Sequence, residues 1–356
     1  MRVGNVTKRT LAGSQVRFRL AIFCVAACFA TFCLAGYQET SAQQSSQEID
    51  EGDILSFRTT EVLLPVTVRD RNGKLVTTLN RNDFRVFEDG RDQPLTDFAV
   101  RDVPVDVVLM VDASSSVAAN IDDFRRAAEG FADKLSAKDR ICLMKFDDRV
   151  ELLQDWTQSR LQLRRSLKRL TPGIFTRFND ALLLAAKEQF KGTRSRHAVI
   201  VLTDGIDSGR GYASLGDALR ELLRAQAIVY VVSNTEIERQ NKLAELDRLV
   251  SQNRSVTTFN SLRIEDLRES LAVLDESEKN LGQLAGSTGG RLYKPKSFDA
   301  LDETYAEVAE ELRHQYTLYY TPLDKTRDGR FRRVRVETSN PSLSVSSRIG
   351  YFAPTR

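Results

Sequence analysis

The sequence predicts an α/β, Rossmann-like domain flanked on both sides by β-sandwich-like segments. Three observations carry this expectation. Nearly continuous apolar runs at residues 105–111, 141–146, 198–202 and 227–232 alternate with stretches of helical periodicity, the pattern of a parallel-rich sheet covered on both faces. Residues before and after this region instead show period-two alternation punctuated by turn dipeptides, the signature of antiparallel strands. Neither flank, at about 47 and about 40 residues, is long enough to bury a core of its own. The two are therefore expected to share one sandwich, with the α/β domain inserted between them.

In chain order, the first element is a leader. Arg2, Lys8, Arg9, Arg17 and Arg19 precede an apolar run at residues 20–35 that only Thr31 interrupts, and no acidic residue occurs before Glu39. A basic region followed by an apolar core is an export signal. Small residues at Cys33 and Ala35, or at Thr40 and Ala42, suit a signal peptidase. Left uncleaved, the uncharged stretch 20–38 is long enough to tether the chain in a bilayer. Tyr37 follows Leu34-Ala35-Gly36, where lipid attachment would need a cysteine. Residues 1–42 are thus read as export signal or anchor with the start of a spacer, and residues 43–53 as flexible spacer.

The N-terminal β segment spans residues 54–102. Val62, Leu64, Val66 and Val68 alternate, Asn72-Gly73 signals a hairpin, and Phe84 and Val86 lead to a second turn at Asp89-Gly90. The α/β domain is placed at residues 103–313. Ile121, Phe124, Ala128, Phe131 and Leu135 mark one amphipathic helix. Leu163, Leu167 and Leu170 mark another, and Leu183, Ala186 and Phe190 a third. A further helix covers residues 215–225. Residues 235–279 are highly charged with helical spacing and read as an inserted excursion, after which the α/β pattern resumes at 281–285, 291–293 and 298–312. In the C-terminal β segment, residues 314–356, Tyr316, Leu318 and Tyr320 alternate, Asp328-Gly329 makes a turn, and residues 331–336 and 345–351 are strands.

Composition excludes several function classes. The formal charge is +3, from 52 basic and 49 acidic residues, which does not suit a strongly basic nucleic-acid binder. Removing the five basic residues of the leader leaves 47 against 49, a charge of −2. Two histidines and four cysteines leave little material for zinc sites. Three of the cysteines, Cys24, Cys28 and Cys33, fall in the leader. Cys142, in an apolar run, reads as a small buried hydrophobe. Gly-rich phosphate loops are absent, and His197 and His314 alone give a Ser-His-Asp triad little support. The arginines at 327, 330, 332, 333 and 335 read as a solvated β face.

The chemistry concentrates at strand ends. The first α/β strand runs into Asp112-Ala113-Ser114-Ser115-Ser116, where ligands of open α/β sheets bind. A carboxylate and two hydroxyls at this spacing converge on one point, and oxygen-only donors suit a hard cation. Thr203-Asp204-Gly205 ends another apolar strand and adds a second carboxylate, and Thr176 lies in the loop before Asn179-Asp180-Ala181-Leu182. Taken alone, Asp112 and Ser114 read as caps for the helix that follows. Asp180 reads as a cap or support for the Thr176 loop, and Asp207 as a solvent-facing loop residue.

In order along the chain, Asp112-x-Ser114-x-Ser116, Thr176 and Thr203-Asp204-Gly205 resemble the von Willebrand factor type A family. The resemblance implies a metal-ion-dependent adhesion site formed by Asp112, Ser114, Ser116, Thr176 and Asp204. It would hold Mg²⁺, or alternatively Mn²⁺ or Ca²⁺, and bind an acidic residue of a protein partner without catalysis. Ile174 and Phe175 before Thr176, and Arg177 after it, depart from the small residues common there. Residues 65–98, 286–293 and 316–354, ending in Gly350-Tyr351-Phe352-Ala353-Pro354, are similar to exported proteins of this family common in acidobacteria. Neutral hydroxyls leave the cation's charge uncancelled, so a site in which only one of Asp112 and Asp204 ligates directly stays positive and attracts a carboxylate. A structural cell-envelope protein with an unused site, and a metal-dependent hydrolase, are the alternatives. The resulting expectation is an exported protein, periplasmic, extracellular or tethered through residues 20–38.

Overall fold

The computed structural model describes residues 61–100, 103–115, 117, 120–191, 195–203, 205–251 and 258–355. The leader and spacer readings fall outside these residues. Among the described residues, no helix is long and apolar enough to cross a membrane.

The chain opens with β1 (Val62–Arg69), β2 (Phe84–Glu88), β3 (Arg91–Gln93) and β4 (Leu95–Val100). The alternating Val62, Leu64, Val66 and Val68 are all buried. Asp89-Gly90 joins β2 to β3 with both residues at positive φ, 47° and 81°, the conformation a tight two-residue hairpin needs. Asn72-Gly73 makes a turn but no two-stranded hairpin. The Asp70 carboxylate takes the Asn72 and Lys74 amides, and the returning chain pairs with β1 only briefly, through backbone bonds from Asp70 to Lys74 and from Val76 to Val68 and a bridge between Arg69 and Leu75.

The α/β region then supplies β5 (Val105–Asp112), α1 (Ile121–Lys134), β6 (Arg140–Phe146), β7 (Val150–Thr157), α2 (Arg160–Leu167) and α3 (Phe178–Leu184). They are followed by β8 (Arg196–Thr203), α4 (Leu215–Arg224), β9 (Ala227–Ser233), α5 (Thr235–Ser251), α6 (Thr258–Thr288), β10 (Leu292–Tyr293) and α7 (Leu301–Arg313). Its sheet has the order β10-β9-β8-β5-β6-β7. All neighbours run parallel except β7, which is antiparallel at the edge. Every residue of β5 and β9 is buried, as expected of strands covered on both faces. One face packs Phe124, Phe131, Leu163, Tyr305 and Val308 from α1, α2 and α7. The other packs Phe178, Leu182, Leu222, Leu281 and Leu284 from α3, α4 and α6. Cys142 is buried in that second core as a free thiol, and burial pushes its pKa far above the ordinary range.

The charged stretch forms α5 and the first part of α6. Helix α6 runs unbroken through residue 279 to Thr288, so the resumption expected at 281–285 is the buried end of the same helix. Its outer part buries only widely spaced apolar residues, Leu267 and Leu274, whereas Leu281, Leu284 and Ala285 at the inner end join the sheet core, so charge spacing hid the continuity.

The chain ends with β11 (Tyr316–Tyr320), β12 (Phe331–Thr338), β13 (Ser344–Ser346) and β14 (Gly350–Phe352). Two four-stranded sheets result, β13-β1-β11-β4 and β14-β12-β2-β3. Each interleaves strands from both ends of the chain, and their inner faces bury Leu64, Val66, Phe84, Val86, Tyr316 and Val336 together. The single strand expected at 345–351 is split between the two sheets. Arg348 sits at the crossing, fully buried, and donates to the Leu63 carbonyl and to Gln226 Oε1 at 2.7 and 3.0 Å. A buried guanidinium needs such acceptors, and meeting them takes this stretch out of both ladders.

Candidate metal centre

Asp112 closes β5 at the carboxyl edge of the parallel sheet and is completely buried. Its Oδ1 accepts the Ser114 amide at 2.9 Å, and its Oδ2 accepts the Thr203 hydroxyl at 2.8 Å. Thr203, the last residue of β8, in turn accepts the Gly205 amide on the same oxygen at 2.8 Å. Ser114 is also buried. Helix α1 starts only at Ile121, and its N-cap residue, Asn120, makes no side-chain capping bond. Asp112 and Ser114 therefore do not cap that helix, and its amino end lies further along the chain than the sequence suggested.

Thr176 is brought to the same edge by interlocking loops. The Gly173 amide donates to the Ala113 carbonyl at 2.7 Å, and Ser115 Oγ donates to the Ile174 carbonyl at 3.2 Å. Asp148 takes the Ile174 and Phe175 amides. Thr176, itself buried, exchanges two bonds with Ser208: its amide donates to Ser208 Oγ at 2.8 Å and its carbonyl accepts the Ser208 amide at 2.9 Å. The loops after β5 and β8 and the loop before α3 are thus pinned to one another. Ser116 and Asp204, the other two expected ligands, lie outside the described residues.

The charges around this edge are arranged in pairs. Arg177 reaches Asp180 at 2.5 Å and lies over the Tyr212 ring at 5.2 Å. Its cation is therefore matched by a carboxylate of its own helix. The free Oδ1 of Asp180 takes the Tyr212 and Ala213 amides, so this residue is a loop support. Asp207 is not simply solvent-facing. Its Oδ2 accepts the Asn179 amide at 2.9 Å, capping α3 from another loop where Arg177, the N-cap residue, supplies no side-chain bond. Lys145 pairs with Asp147 at 2.8 Å and Glu151 at 3.5 Å. Burial works to lower the lysine's pKa, but those partners outweigh it and leave it above its ordinary value.

The described donors fit a hard divalent cation. One carboxylate and two hydroxyl side chains, all oxygen, stand on loops fixed by backbone bonds. On the same carboxyl edge, Asn234 follows Ser233, the register partner of Thr203. It is buried, and neither its amide oxygen nor its nitrogen has a partner among the described residues. Burying an unpaired amide is costly, and a hydrated cation held at this edge would offer it partners. His197 is the second residue of β8, near the end of the strand opposite Thr203, so six residues of strand, about 20 Å, separate its backbone from the site.

Sequence reasoning missed the Thr203 hydroxyl, Asp148, Ser208 and Asn234. Only Thr203 and Asn234 carried a signal, as polar residues ending apolar strands.

A family model for the von Willebrand factor type A domain matches residues 106–272. No curated protein matches the chain. Among solved structures, the chain is similar to proximal thread matrix protein 1 from the mussel byssus, at 17% identity over 64% of this chain and 51% of that one, with a TM-score of 0.45. It is also similar to the vWF domain of the type V pili tip protein Mfa5 from Porphyromonas gingivalis, at 27% identity, 31% and 40% coverage and a TM-score of 0.28. A third is a von Willebrand factor type A protein from Catenulispora acidiphila, at 13% identity, 78% and 76% coverage and a TM-score of 0.43. The chain spans about half the length of the mussel protein and 40% of the pili protein chain. The strand–loop–helix order, the parallel sheet and the loops at its carboxyl edge coincide with the matched region. Residues 106–272 form a von Willebrand factor type A domain.

Proposed function

We propose that this chain is an exported, non-enzymatic protein-binding module whose Asp112, Ser114, Ser116, Thr176 and Asp204 hold Mg²⁺, with Mn²⁺ or Ca²⁺ as alternatives. When bound, the cation supplies a positive pole that takes a carboxylate from a protein partner. The observation that carries this reading is the buried Asp112 carboxylate, fixed by Ser114 and Thr203 at the carboxyl edge of the sheet. Ser114 and Thr176 add neutral oxygens there, so the cation keeps most of its charge. The basic, apolar leader supports export, either by cleavage or with residues 20–38 retained as a tether. The working division is a family domain at 103–313 carried by a sandwich built from 54–102 and 314–356.

The test is thermal unfolding of the purified chain in Mg²⁺ and in chelator, with Asp112→Ala as control. Metal at 100 times its Kd stabilises the folded state by about 2.7 kcal/mol, and the substitution removes that gain. Equal melting in Mg²⁺ and in chelator would show that no such site exists.

A further inference from the structure

A groove of about 330 Å³ opens beside the metal edge, between the loop after β8 and helix α6. One wall is Gly205, Ile206 and Asp207, in the loop after β8, and the other includes Val273, Glu276 and Leu281. Its floor is apolar, with Phe178 and Leu281 buried and Val273 half exposed. Among the described residues, two carboxylates, Asp207 and Glu276, stand in its wall, and no lysine, arginine or histidine does. Asp207 accepts the amides of Asn179 and Gly209 on its two oxygens. Among the described residues Glu276 pairs with Lys279, at 3.3 Å, with both partners about 60% exposed, a contact that water and salt weaken.

An apolar channel edged by carboxylates fits one kind of side chain: a long hydrocarbon stem ending in a cation. The groove shares the loop that leaves Thr203, and Thr203 touches Asp112. The four residues from Thr203 to Asp207 span at most about 14 Å. An extended peptide covers that distance in about four residues. We infer that the groove is a second recognition subsite of the metal edge, which takes a lysine or arginine within about four residues of the partner's metal-binding acid. This rests on the metal-site reading above and adds the partner's sequence chemistry to it. Val273 and Glu276 belong to the outer part of α6, so the long charged helix acquires a role in selectivity.

The probe is a phage-displayed library of random nine-residue peptides, panned against the full chain in Mg²⁺ and in chelator. Metal-dependent peptides should carry Asp or Glu with Lys or Arg within four positions, at about five times library frequency, the ratio an exposed ion pair supplies. Panning against Glu276→Lys should remove the basic enrichment, and Glu276→Gln should reduce it. Both substitutions lie on a solvent-exposed helix face, and circular dichroism verifies their folding. Acid-bearing peptides with no basic bias, or with an apolar neighbour instead, overturn the subsite alone. The absence of any metal-dependent peptide overturns the metal-site reading and the subsite with it.

Discussion

The Thr203 hydroxyl donates to Asp112 Oδ2 at 2.8 Å, joining the ends of two adjacent parallel strands. Because the same hydroxyl oxygen accepts the Gly205 amide, one side chain orients both the candidate ligand and the loop that leaves β8. Thr203→Val keeps the shape but strips this bond from a carboxylate that is completely buried. The expected cost is about 1–3 kcal/mol, read as a lower urea midpoint. Thr203→Ser should restore most of it. In addition, the melting gain between chelator and Mg²⁺ should shrink in Thr203→Val. A Thr203→Val protein with wild-type stability and metal response would remove Thr203 from the site.

Gly205 couples this loop to α6. Its φ is +72°, and a Cβ there would lie 2.5 Å from Leu281 Cδ1 and 2.8 Å from Ser277 Oγ. Gly205→Ala therefore meets both left-handed strain, about 1–2 kcal/mol, and a clash with a buried helix face. Thermal unfolding should show a loss beyond the strain alone, and Leu281→Ala in the same chain should recover the clash component. Additive losses in the double variant would show that the helix and the loop are not in contact through this pair.

The sandwich and the α/β domain meet through a buried acid. Glu311 of α7 is 1% exposed and pairs with Arg69 of β1. It also accepts the Tyr293 hydroxyl at 2.7 Å and the Tyr230 hydroxyl at 3.3 Å. Removing one partner of a buried pair is expensive, about 3–5 kcal/mol, whereas replacing both by apolar groups is far less so. Arg69→Met should thus cost several times more than the double variant Arg69→Met/Glu311→Leu, by equilibrium denaturation in urea. Equal costs would mean that Arg69 contributes packing rather than charge.

The sequence made the strands and most helices legible, because periods of two and 3.6 are local properties. Val105–Asp112 and Ala227–Ser233 read as buried strands from composition alone. What it hid depends on distant partners. The split of 345–351 follows from Arg348 meeting Leu63 and Gln226, which no pattern within seven residues encodes. At the site, Asp112, Ser114 and Thr176 were legible as residue types at strand ends. Their fixing by Thr203, Asp148 and Ser208 joins loops far apart in the chain, and a one-dimensional pattern carries no trace of it.

The last expectation concerns acid. His197 lies under the sheet's amino end, stacked on Phe190 at 4.5 Å, with Nδ1 2.6 Å from the Ala225 carbonyl. Burial lowers its pKa below the ordinary 6.5; the Ala225 carbonyl and the Asp106 charge pull upward, while the charges of Arg348 and Arg140 add to the lowering. The folded state therefore binds this proton less readily than the unfolded chain. Stability is full above pH 6.5 and falls as the pH drops below it, because the unfolded state gains the proton first. Asp106 acts in a separate window. Burial raises its pKa, but hydrogen bonds from Arg140 and Ser195 hold it below 3.8, so its contribution is lost only as pH falls below that value. Urea midpoints between pH 8 and 5 should decline in the wild type below about 6.5 and decline less in His197→Gln, which keeps a donor for Ala225. Parallel curves for the two proteins would assign the acid sensitivity to another group, and histidine NMR titration would then show His197 protonating at its ordinary pH.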